Sequence, residues 1–74
     1  MNPKSKSERA LDLKRAAVEA SAAYVRAAVA AGEYAEALNA GSCTSIRSAE
    51  KAVTLAYEEA SSAGWAYNLA WTRL

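Results

Sequence analysis

From Lys6 to Ala31 the chain carries apolar residues at helical spacing and nothing that breaks a helix. Leu11, Val18, Ala22, Val25 and Val29 form one apolar stripe, and Leu13, Ala17, Ala20, Tyr24, Ala28 and Ala31 form a second beside it. Glu8, Asp12, Arg15, Glu19 and Arg26 line the remaining, solvent face. Two adjacent stripes predict a helix that touches more than one neighbour. Ser5 and Glu8 make an S-x-x-E capping box at its start, where each side chain satisfies an otherwise unpaired backbone donor. Gly32 offers a stop, since glycine accepts the positive φ of a helix C-terminus. Glu33 restarts the pattern at once, with Tyr34, Ala37 and Leu38 on one side, and so short a connection predicts an antiparallel helical hairpin.

Residues 37–52, ALNAGSCTSIRSAEKA, interrupt this pattern with a glycine, the single cysteine and a cluster of hydroxyls. Gly41 ends one helical piece and Thr44 or Ser45 starts the next. A heptad-like series then runs Ile46, Ala49, Val53, Ala56, Ala60, Ala63, Tyr67, Ala70, Leu74. Its phase continues past Gly64, but the Ser62–Gly64 stretch predicts a break or kink and a short terminal helix. The expected architecture is a single all-α domain with helices over about 6–31, 33–40, 45–63 and 65–73, behind a loose end at 1–5. In outline it is an antiparallel helical hairpin with a short third helix.

Composition limits the core. The 74 residues include only six Leu, four Val, one Ile and no Phe, against twenty Ala. Alanine is the best helix former but buries little area, so the helices should pack closely around a thin core. At this size the entropy of ordering the chain roughly cancels such burial, at about 1.5 kcal/mol per residue. One Cys and no His provide neither a disulfide nor a metal site to make up the difference, which leaves self-association, with a dimer as the favoured form. The lone cysteine suits a reducing, cytoplasmic setting, no signal-peptide pattern is present, and the uncharged window 60–72 is too short and polar to span a bilayer.

Catalysis finds little to work with. Without His there is no ordinary base near neutral pH and no partner to activate the Cys43 thiol. Ser48 and Lys51 match the S-x-x-K spacing of Ser-Lys acyl enzymes, but without the further motifs and larger scaffold those enzymes need. The carboxylates lie scattered, and adjacent Glu58 and Glu59 diverge on a helix. No Gly-rich phosphate loop and no metal-ligand spacing occurs, so no catalytic, cofactor-binding or metal-ligating residue is assigned.

Ala37, Gly41, Thr44 and Ile46 resemble the small–glycine–capping–β-branched series of a helix-turn-helix, which would turn Ser45, Arg47, Ser48 and Lys51 toward a major groove. Ser42 stands where an aliphatic would pin that turn, and Ile46 comes one residue early. A formal net charge of +1 also argues against phosphate contacts, despite basic Lys4, Lys6, Arg9, Lys14 and Arg15 near the N-terminus. AGEYAEAL at 31–38 resembles the turn and second-helix start of a tetratricopeptide repeat, and WAYNLAW at 65–71 resembles the start of that repeat's first helix. Their separation departs from the 34-residue period of that repeat, and Gly41 stands where it has a large aromatic. The resemblance implies helical-hairpin packing.

The last quarter concentrates aromatic residues, Trp65, Tyr67 and Trp71 with Tyr57 upstream. Trp65 precedes Leu69 by four positions and Tyr67 precedes Trp71 by four, within side-chain reach on a helix. Trp and Tyr dominate binding hot spots because they bury large area with few rotors. Tyr57, Trp65, Tyr67, Leu69, Trp71 and Leu74 are therefore the candidate protein interface, for a second copy or for another protein. The expectation is a small non-enzymatic interaction module, homo-oligomeric, of the size and alanine content of a bacterial or bacteriophage accessory protein. The alternative is a small DNA-binding regulator using a degenerate helix-turn-helix at 37–52.

Overall fold

A computed structural model describes residues 4–74 as two helices, α1 (Lys6–Ala40) and α2 (Cys43–Thr72), that pack side by side. The described residues contain no strand. The molecule measures 56 × 18 × 13 Å, and its long dimension matches the roughly 52 Å that 35 helical residues span.

Both ends of α1 follow from local chemistry. Ser5 has extended backbone, and its hydroxyl accepts the Glu8 N–H at 3.2 Å while donating to Glu8 Oε1 at 3.2 Å. Half of the predicted capping box is present: the Ser5 hydroxyl takes the Glu8 N–H, while the Glu8 carboxylate takes the hydroxyl proton in place of the Ser5 backbone N–H. Residues 1–3 of the expected loose end lie outside the described residues. Lys4 is not loose: its ammonium holds Asp12 Oδ2 at 2.6 Å. At the other end Gly41 takes φ +77° and donates its N–H to the Ala37 carbonyl at 3.0 Å. A side chain is strained in that left-handed conformation, so glycine is the natural C-cap. Ser42 then caps α2, which begins at Cys43, earlier than Thr44 or Ser45.

The helix stops expected at Gly32 and near Ser62–Gly64 do not occur, and no separate third helix forms. The hairpin turn is Gly41–Ser42, nine residues beyond the first expected stop. The reason is tertiary. Tyr34 and Ala37 are half-buried against α2 beyond Gly32, and Tyr67 and Ala70 are likewise half-buried beyond Gly64. That continued packing exceeds the roughly 1 kcal/mol a glycine costs inside a helix.

The core is a seam of alanines. Along α1 the seam is Leu13, Ala16, Ala20, Ala23, Ala27, Ala30, Tyr34 and Ala37, alternating three and four apart, with Arg9, Asp12 and Ala17 half-buried beside it. Along α2 they are Ile46, Ala49, Val53, Ala56, Ala60, Ala63, Tyr67 and Ala70, the predicted heptad series; its last member, Leu74, is exposed. Ala23, Ala27 and Ala60 form the buried centre, with Ala56 and Ala63 packed against it. The two stripes read along α1 therefore need correction. Leu11, Val18, Ala22, Val25 and Val29 are exposed outside the seam, with Val18 and Ala22 at the rim of a groove shared with Glu59, Ser62, Ala63 and Ala66 of α2, and Tyr24, Ala28 and Ala31 of the second stripe are exposed. Small side chains let two backbones approach closely, and the seam gathers alanines in preference to the larger residues.

Candidate interaction surface

Helix α2 carries five of the six interface candidates, Tyr57, Trp65, Tyr67, Leu69 and Trp71, but does not gather them on one face. Tyr67 lies in the seam, half-buried, and its ring meets Trp71 edge-on, with centroids 6.4 Å apart and planes at 84°. This is the geometry that aromatic quadrupoles favour. Tyr57 and Trp71, fourteen residues apart, share a heptad position at the flank of the seam with Gly64, which lies against Tyr24 of α1. Trp65 and Leu69 project from the outer side, and Leu74 ends the chain beyond the helix. Trp65 is 69 % exposed and Tyr57 66 %, the least covered of the set.

A second exposed apolar surface is the first stripe of α1, which the interface candidates did not include. Leu11, Val18, Val25 and Val29 are all exposed there. Their seven-residue recurrence, opposite in phase to the alanines, was the signal available.

Arg26 Nε stands 4.0 Å from Glu59 Oε2 across the two helices, with both side chains largely exposed. Toward the open end of the hairpin, Lys4, Arg9, Asp12, Ala16, Ala66, Ala70 and Arg73 line a groove. Asp12 sits among cations there. The Lys4 hydrogen bond, then the charges of Lys4, Arg15 and Arg73, hold its carboxyl below the ordinary 3.8, against an opposing contribution from partial desolvation. Arg9 Nε is buried in the same groove without a hydrogen-bond partner.

The residues of the helix-turn-helix reading, Ser45, Arg47, Ser48 and Lys51, are exposed near the start of α2. The helices they would separate run side by side along a molecule 18 Å wide, whereas that motif sets its helices at about 90–120°. Cys43 is free and exposed in the first turn of α2. Among the described residues, no group of three or more His, Cys, Asp or Glu side chains could hold a metal ion, and no helix is long and apolar enough to cross a membrane. No known family model matches the chain, and neither a characterised protein nor a solved structure matches it.

Proposed function

We propose that this protein is a small, non-enzymatic protein–protein interaction module that works as a homo-oligomer, most simply a dimer. The observation that carries this reading is the imbalance between core and surface. The five buried hydrophobic residues are all alanines, Ala20, Ala23, Ala27, Ala30 and Ala60, while Leu11, Val18, Val25, Val29, Trp65 and Trp71 are among the large apolar residues left in solvent. The chain exposes 5725 Å², where a compact monomer of 7.8 kDa exposes about 4,400 Å². Large apolar side chains left in solvent along a folded protein's surface mark an association surface. Two surfaces carry them: the aromatic residues Tyr57, Trp65, Leu69 and Trp71 of α2, and the outer face of α1.

Sedimentation equilibrium across micromolar concentrations tests the reading. A mass of two chains or more is the expected result. A single-chain mass throughout the range, with the helical circular dichroism intact, would remove it.

A further inference from the structure

The outer face of α1 is a second heptad seam with no partner within the chain. Leu11, Val18 and Val25 recur every seven residues, with Ala22 and Val29 three or four positions away on the same stripe. Heptad geometry places this stripe nearly opposite the alanine seam, and all five residues are exposed. Three further members of the stripe are informative. Arg15 and Glu36 stand toward its two ends, opposite in charge and both exposed. Gly32 lies between them. A glycine inside a helix weakens it, and nothing lies within 4 Å of where a Gly32 Cβ would sit. The hairpin alone gives no use for it.

From this pattern, and resting on the self-association proposed above, we infer that the stripe is covered by the same stripe of a second copy, antiparallel about a two-fold axis at Val25. In that register Val25 meets its own copy and Ala22 meets the partner's Val29. Val18 meets the partner's Gly32, where the missing side chain leaves room for it. Arg15 meets the partner's Glu36, so two ion pairs close the ends. A parallel pairing would set Arg15 on Arg15 and Glu36 on Glu36, so charge selects the antiparallel direction. Helix α2 has no comparable stripe. Trp65 shares its heptad position with Lys51, Glu58 and Thr72, and Ser62 separates Leu55 from Leu69. The result is a four-helix assembly with the two α1 helices inside and the two α2 helices outside.

Sedimentation of the full chain and its variants, with circular dichroism to follow helicity, tests this arrangement. Val25→Glu brings two carboxylates together at the axis and should raise the dimer dissociation constant by about 100-fold or more. Arg15→Glu and Glu36→Arg, each alone, set like charges together twice and should raise it by roughly tenfold. Combined in one chain, the two changes restore the pairs with signs exchanged and should return the wild-type value, a rescue that misfolding cannot imitate. A Val25→Glu chain that remains a tight dimer would overturn this placement and leave self-association through the aromatic surface standing. Single charge variants without effect, or a double variant that is not restored, would overturn the antiparallel register. A wild-type chain that is monomeric throughout would overturn both this inference and the reading beneath it.

Discussion

The hydroxyl of Tyr24 lies 2.9 Å from the point where a Cβ on Gly64 would sit, and the ring carbon that bears it lies 3.8 Å away. Gly64 therefore leaves room at the flank of the seam for a ring from the opposite helix, and α2 runs through it unbroken. The same glycine, read along the chain, looks like an ending.

This relationship predicts the outcome of Gly64→Ala. Alanine is worth about 1 kcal/mol over glycine inside a helix, but the new methyl displaces the Tyr24 hydroxyl. Tyr24 is 55 % exposed and can swing aside, so the net gain in wild type should be positive but well short of that value. In a Tyr24→Phe background only ordinary contacts remain, and the full gain of about 1 kcal/mol should return. Urea denaturation of the four chains measures the coupling. Equal gains in both backgrounds would mean that the hydroxyl does not limit the site.

The alanine seam predicts a sharp positional contrast. Ala60 is only 2 % exposed at the centre of the packing, so Ala60→Leu overfills the closest approach of the helices and should cost about 1–3 kcal/mol or more. Ala28→Leu, on the exposed side of α1, should change stability by less than about 0.5 kcal/mol. Thermal or urea unfolding compares them, and similar costs at both sites would contradict the placement of the seam.

The turn makes a backbone prediction. Gly41 at φ +77° is the described residue with a left-handed backbone. Gly41→Ala should lose about 1–2 kcal/mol through crowding of its Cβ, and Gly41→Asn, which tolerates that conformation better, should lose less. Denaturation midpoints that rank alanine above asparagine would argue against this turn.

Asp12 makes a pH prediction. Its folded carboxyl titrates below 3.8, chiefly through the Lys4 hydrogen bond. A depressed folded value means that the stabilising contribution is fully present above the unfolded value and is lost as pH falls through the folded one. The loss should therefore fall in the acid range below 3.8, and Lys4→Ala should bring the Asp12 midpoint back up toward that value. Carboxyl-resolved NMR titration reads both. An Asp12 midpoint unmoved by Lys4→Ala would assign the shift to Arg15 and Arg73 instead.

Several elements were legible in the chain itself because they rest on local chemistry or on regular spacing. The Ser5 cap on the Glu8 N–H needs only neighbouring residues, and it forms. The α2 seam from Ile46 to Ala70 is a strict three-four alternation, and it is covered as read. The Tyr67–Trp71 contact follows from helical spacing alone. The all-α class and the paired helices follow from the same alanine-rich periodicity.

What the chain alone could not decide was which glycine ends a helix and which side of α1 faces its partner. Gly32, Gly41 and Gly64 look alike locally, yet only Gly41 turns left-handed. The others stay helical because α2 or α1 packs on beyond them, and that packing outweighs a local cost of about 1 kcal/mol. Likewise, Leu11, Val18, Val25 and Val29 are the larger residues of α1, but Ala20, Ala23, Ala27 and Ala30 are the ones buried. Local periodicity determines which residues share a stripe. Only the close approach of two helices determines which stripe is inside, because alanine lets the backbones meet where larger side chains would hold them apart.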